Sequence, residues 1–273
     1  MLRLVLCLAM LEPSGATGAT ERNVPAHKVL TPHGDRLGYA PVPRPYTGAR
    51  RLTGVLIGRD ATTGRHVMCG GAVLRSPSRS LVLTAAHCLH QRGRPLEQLV
   101  FLPGYDRGDT VHEAWPVVRT WVPPRWNGRS FAPDLLPYDI GLAGVAPRQD
   151  LRLEDVTGPG LRALPTRRGR ALRGLELLGY PVGKRYPGNR MYRCLGDAVE
   201  GVRRGPGVLI TRNCHAAAGG SGGPALYKGS VAGVVSSSSP LRDAKGFTVL
   251  SRLGGKPFAK LYEQANRVMS AAS

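Results

Sequence analysis

The feature that most restricts this chain is its punctuation. From residue 52 onward, apolar runs of four to eight residues recur, each closed off by glycine, proline or polar turn residues. Runs that short are strand-length rather than helix-length. Six of them, at 52–57, 67–74, 81–85, 99–102, 115–122 and 140–145, precede a Pro-, Arg- and Gly-rich stretch at 147–170. Six more follow at 175–180, 198–202, 208–211, 224–227, 230–235 and 247–250. The pattern predicts an all-β chain of two six-stranded antiparallel β-barrels, divided near 150–170. A content of 36 Gly and 23 Pro against 4 Phe fits the many turns such a fold needs. Only 257–271 has helical spacing, with Phe258, Leu261, Ala265 and Val268 on one face, so one C-terminal α-helix is expected.

The N-terminus has a different character. Met1-Leu2-Arg3 supplies a positive start, residues 4–11 are apolar, and Thr17-Gly18-Ala19 offers small residues for cleavage, so residues 1–19 read as a signal peptide. No segment reaches the roughly 18 to 20 apolar residues that a membrane span requires, so the expectation is a secreted chain that is not transmembrane. Residues 20–51 are polar and Pro-rich without apolar periodicity, the composition of a pro-segment or loosely held arm. Arg50-Arg51 stands where such a segment would be processed. The folded two-barrel domain proper is then expected over 52–273.

Five cysteines are present, and Cys7 lies in the apolar leader. The remaining four, Cys69, Cys88, Cys194 and Cys214, are an even number, as an oxidising compartment favours. A zinc set of Cys69, His87, Cys88 and His90 is conceivable, but neighbours such as His87 and Cys88 do not readily face one ion and no CxxC pair exists, so no metal is expected. The net charge is +20, and only six of the 38 basic residues are lysine. Such a charge permits weak binding to acidic polymers or surfaces. No basic run is interleaved with aromatics, which speaks against a specific nucleic-acid partner, and a codon-biased solvated surface accounts for the excess.

Three segments carry chemistry. Gly219-Gly220-Ser221-Gly222-Gly223-Pro224 is a turn that can expose a serine hydroxyl and aim amide N–H groups at a developing oxyanion. The string also satisfies G-x-S-x-G, the nucleophile elbow of α/β-hydrolases. That fold places its histidine after the serine, and no histidine follows Ser221, so an esterase or lipase is excluded by chain order. Upstream, residues 81–85 end in small residues and present His87 beside Cys88. A Cys69–Cys88 bridge would pin His87's loop to the preceding strand and contribute about 3 kcal/mol on the chain-entropy model. Asp139 heads an apolar strand, where a carboxylate must be paired, and the imidazole of His87 is its natural partner. Asp134, in a Pro-flanked loop with no strand directly after it, is the rival.

Thr84-Ala85-Ala86-His87-Cys88, Asp139-Ile140-Gly141-Leu142 and GGSGGP, in the order His, Asp, Ser, resemble the chymotrypsin-like serine peptidases from about residue 52 to the C-terminal helix. The resemblance implies a double barrel with His87 and Asp139 from the first and Ser221 from the second, forming a catalytic triad that hydrolyses protein or peptide substrates without a cofactor. It implies an oxyanion hole from the N–H groups of Gly219 and Ser221, and a cleft lined by Ser236, which contacts the triad acid. His215, Ser237 and Ser238 fall near the primary pocket and suggest small or polar lining. Trypsins carry an aspartate just before the nucleophile that pairs with a new N-terminus on activation; here Gly220 stands there and no Ile-Val-Gly-Gly start exists. A pro-segment would therefore make a zymogen released by some other route. A Cys194–Cys214 bridge in the second barrel, with Leu178-Gly179-Tyr180-Pro181, is similar to the bacterial secreted branch that includes the glutamyl endopeptidases. Val235 stands where glutamate-specific members place a histidine, so that preference is not expected. The other functional reading is a cationic binding protein on the same scaffold, without turnover.

Overall fold

The computed structural model describes residues 26, 28–126, 132–166, 169, 171–201, 207–239 and 246–271. The proposed signal peptide at 1–19, and the end of the apolar run at 198–202, lie outside or partly outside these residues.

In chain order the elements are β1 (Tyr39–Pro41), α1 (Ala49–Leu52), β2 (Thr53–Arg59), β3 (His66–Leu74), β4 (Leu81–Thr84), the small hairpin β5 (His90–Gln91) and β6 (Arg94–Pro95), β7 (Glu97–Pro103), β8 (Trp115–Trp121) and β9 (Gly141–Val145). After α2 (Leu153–Thr157) come β10 (Leu172–Gly179), the hairpin β11 (Val182–Gly183) and β12 (Tyr186–Pro187), β13 (Tyr192–Glu200), β14 (Val208–Thr211), β15 (Pro224–Tyr227), β16 (Ser230–Ser238), β17 (Thr248–Arg252) and α3 (Lys256–Ala271). Strands β2-β3-β4-β9-β8-β7 close one six-stranded barrel. A second is formed by β13-β10-β15-β16-β17-β14, with β14 returning to pair β13. All of these pairings are antiparallel. Each of the twelve apolar runs becomes a barrel strand.

Alternation explains where the elements exceed the runs. β13 begins at Tyr192 rather than at 198 because Tyr192, Cys194, Gly196 and Ala198 point inward while Arg193, Leu195 and Asp197 do not. The first barrel closes around Val55, Val73, Leu83, Phe101, Trp115 and Leu142, all at most 1% exposed. The second closes around Leu175, Leu177, Leu209, Ala225 and Leu250. α3 lays Phe258, Leu261, Ala265 and Met269 onto the first barrel. Met269, not Val268, completes that buried face: a Cβ on Gly144 of β9 would lie 2.4 Å from the Met269 sulfur. Both expected disulfides are present, Cys69–Cys88 between β3 and the turn after β4, and Cys194–Cys214 in the second barrel.

The stretch expected to be loosely held departs from that expectation. β1 pairs the edge of β13 that β14 leaves open, with Tyr39 opposite Cys194. Leu37, Tyr39, Ala40 and Val42 are buried. Arg50 of α1 is paired with Glu176 at 2.9 Å. A three-residue strand next to prolines leaves too short a pattern to read from sequence. The connection between barrels is packed as well: the buried carboxylate of Glu154 accepts the N–H groups of Ser76 and Gly160, at 3.0 and 2.9 Å.

Phe101 is fully buried at the centre of the first barrel. Phe101→Ala should lower stability by about 3–5 kcal/mol. Urea unfolding should show it as a fall in midpoint at unchanged slope.

Candidate active site

Adjacent strand ends bring the first two chemical groups together. β4 and β9 are paired with Thr84 opposite Gly141. The chain leaving β4 turns through a 3-10 helix, Ala86–Cys88, that holds His87. The chain entering β9 comes from another 3-10 turn, Leu136–Tyr138, whose following residue is Asp139. The Asp139 carboxylate accepts the His87 backbone N–H at 2.9 Å and faces the ring Nδ1 at 2.8 Å. From the second barrel, Ser236 Oγ donates to the same carboxylate at 2.6 Å. Asp139 is wholly buried, and charge-assisted bonds from three donors are what such a carboxylate needs. With Nδ1–H donating to Asp139, Nε2 is left as the ring's basic atom. Asp134 is excluded as His87's partner: its side chain is 64% exposed and faces Arg125 at 3.6 Å.

Ser221 arrives from the second barrel on a turn seated against the first largely through backbone. Gly70 of β3 donates its N–H to the Ser221 carbonyl at 2.7 Å. A Cβ on Gly222, whose φ is +77°, would lie 2.2 Å from Thr84 Oγ1 and 2.4 Å from the Gly70 carbonyl oxygen. A Cβ on Gly70 would be 2.9 Å from Gly223 Cα. Ser221 is thus held beside the end of β4, from which His87's turn departs. Thr84, fully buried, donates to the Gly70 carbonyl at 2.8 Å and completes the seam.

The same turn is tied to the strand carrying Ser236. Gly222 donates to Val235 O at 2.7 Å, and Val235 donates to Gly223 O at 2.9 Å. Gly219 has φ +78°, and a Cβ there would lie 2.4 Å from the Tyr180 carbonyl oxygen, which only glycine avoids. Among the described residues, no protein group accepts the N–H of Gly219 or of Ser221.

The remaining cleft candidates gather around β16. Ser237 and Ser238 are half-buried, opposite Val249 and Thr248 of β17. His215 is 5% exposed, and its ring lies close enough that a Cβ on Gly246 would be 2.6 Å from Cγ. Thr248, which sequence reasoning missed, links these pieces: its hydroxyl donates to Cys214 O at 2.9 Å and accepts the Ala216 N–H at 2.8 Å. A threonine in a strand carries no local signal of that role. The sulfurs of Cys69 and Cys88, close to the His87 ring, are bonded to each other and offer no thiolates to a metal.

No family model matches the sequence, and no curated protein matches it. Solved structures do match the fold. A thermostable serine protease, AL20, from an extremophilic microorganism gives a TM-score of 0.69 at 20% identity, over 80% of this chain and 98% of that one. Protease Anisep from Arthrobacter nicotinovorans gives 0.69 at 20% identity, over 81% and 98%. A Glu endopeptidase in complex with MPD gives 0.62 at 14% identity, over 84% and 96%. The two-barrel arrangement is therefore the chymotrypsin-like fold.

Gly222 and Gly229 share φ +77°, but nothing lies within 4 Å of a Cβ on Gly229. Both alanine variants meet the left-handed backbone penalty, and only Gly222→Ala meets overlap, so it should lose about 1–3 kcal/mol more than Gly229→Ala. Paired denaturation curves would measure the difference.

Proposed function

We propose that this protein is a secreted serine endopeptidase in which Ser221 is the nucleophile, His87 the general base and Asp139 the residue that orients and stabilises the imidazolium. The observation that carries the reading is the Asp139 carboxylate, buried and hydrogen-bonded to both His87 and Ser236. An acid so placed fixes the Nδ1–H tautomer and leaves Nε2 to take the serine proton. Ser221 then attacks the scissile carbonyl, and the N–H groups of Gly219 and Ser221 stabilise the oxyanion. His87 protonates the departing amine; water, deprotonated by His87, then attacks the acyl carbon, and His87 returns that proton to Ser221 Oγ as the acyl bond breaks.

Substrates in this reading are proteins or peptides bound along β16, with His215, Ser236, Ser237, Ser238 and Thr248 framing the primary pocket. One neighbour in fold is a Glu endopeptidase. Val235 beside Ser236 gives no support for the same preference here. Two disulfides support an oxidising, extracellular location, and no described helix is long and apolar enough to cross a membrane.

The test is labelling of the secreted protein with a fluorophosphonate. Label is expected on Ser221 and absent from Ser221→Ala, which should also lose peptide cleavage. Labelling that survives Ser221→Ala would reject the assignment. Asp139→Asn, with the acceptor geometry largely kept but the wrong tautomer favoured, should lower kcat about 10⁴-fold. A salt-sensitive association with acidic polymers that Ser221→Ala leaves intact, with no turnover by the parent protein, would instead indicate a non-enzymatic binder.

A further inference from the structure

We propose that the N-terminal arm, residues 28–42, is a retained working part of the enzyme that positions the His215 wall of the substrate cleft. It does so where activation by an N-terminal ion pair is foreclosed by Gly220. The inference rests on the peptidase reading above and names what organises its pocket.

The arm engages the segment before Ser221, and β13 beside it, at successive points. Lys28 O accepts the Asn213 side-chain amide at 2.8 Å. Thr31 Oγ1 accepts the Leu195 N–H at 2.7 Å. Leu37 O accepts the N–H of His215 itself at 2.9 Å. Gly38, with φ +91°, passes so close that a Cβ would lie 2.3 Å from Asn213 O and 2.8 Å from the Cys194 sulfur. Upstream, Ala26 is bridged to Gly246, the residue against which the His215 ring packs. The arm therefore holds the 213–215 side of the wall, and Ala26 just upstream of it reaches Gly246 on the other side.

One side chain sets the arm's turn. Asp35 accepts the N–H groups of Leu37 and Tyr39 through Oδ1, at 2.9 and 3.1 Å. Its Oδ2 accepts the hydroxyl of Tyr186, on the β11–β12 hairpin. This carboxylate fixes the direction of the Leu37 carbonyl and ties the turn to the second barrel. The next residues extend the sheet, and Arg44 and Tyr46 reach Asp106 of the first barrel at 3.2 and 2.9 Å. Removing the arm at Arg50-Arg51 would take away Leu37, Tyr39 and Val42, uncover the β13 edge that Tyr39–Pro41 pair with, and leave the His215 N–H without the Leu37 acceptor. Processing that yields active enzyme thus falls before Lys28, and Asp35 is a positioning residue.

The experiment uses the full secreted chain. N-terminal sequencing of the active form should find a start at or before Lys28; an active form starting at Leu52 overturns the proposal. Asp35→Ala is compared with the parent by two rates. Peptide cleavage depends on the pocket, and kcat/KM should fall about 10- to 100-fold, chiefly through KM, because the cleft wall is misplaced. Phosphonylation of Ser221 by a small fluorophosphonate does not fill the pocket and should stay within about twofold. Asp35→Asn, which keeps an Oδ1 acceptor, should recover most of the cleavage. Gly38→Ala, which wedges the arm outward while keeping the Asp35 carboxylate, should reproduce the KM defect should Asp35→Ala not fold. Unchanged cleavage, or cleavage and phosphonylation falling in parallel with thermal stability, would overturn the positioning role. Failure of the parent protein to label at Ser221 would reject the triad itself, whatever the N-terminus.

Discussion

A carboxylate removed from water must be given back its hydrogen bonds by the protein, and the site of this molecule is arranged around one such debt. Asp139 is wholly buried, and its three donors are the backbone and ring of His87 and the hydroxyl of Ser236. Two of those donors belong to the first barrel and one to the second. An unpaired buried charge would cost several kcal/mol, so the bonds act across the barrel interface as much as within the site. The orientation of the imidazole is thereby coupled to the seating of the barrels. Displacing β16 would leave Oδ2 with one donor fewer and loosen the ring that Oδ2 orients.

The second constraint is steric. Two closed barrels meet with little side-chain padding at the point where chemistry is proposed. Gly70, Gly222 and Gly223 permit backbone contacts that any Cβ would block, and Thr84 supplies a hydroxyl to the seam. The glycines flanking Ser221 therefore serve two ends. Gly219 and Gly222 adopt left-handed φ that shapes the turn, and Gly222 and Gly223 let that turn press against β3 and Leu178. Rigidity follows from the fit: a loop locked to β16 by two backbone bonds and to β3 by a third has little freedom to drift.

Most of this was visible in the residues. Strands recur where short apolar runs meet glycine and proline, because barrel strands bury one face within a few residues of a turn. The pairing of Asp139 with His87 followed from a carboxylate heading an apolar strand, and Asp134 fails because its loop leaves it in solvent. What was not visible depends on contacts between segments far apart in sequence. Thr248 looks like any strand threonine until β17 is laid beside the 214–216 segment. β1 is three residues long and ends in proline, so its burial comes from the open edge of β13 and not from its own pattern. On α3, positions 268 and 269 both lie near the apolar face, and only the gap above Gly144 selects Met269.

The same dependence on distant contacts bears on how the cleft is held. A pocket wall made of loop needs external anchors, since a short loop cannot satisfy its own backbone. In the 213–216 segment those anchors are Thr248 for Ala216 and Cys214, the disulfide for Cys214, Leu37 for His215 and Lys28 for Asn213. None requires a newly formed N-terminus, and none requires an acid at position 220. Every anchor is formed by the fold itself. In the proposed reading, the departure at Gly220 and the buried arm are two sides of one arrangement: where no charge is available to order the wall, backbone bonds from a docked segment would do it.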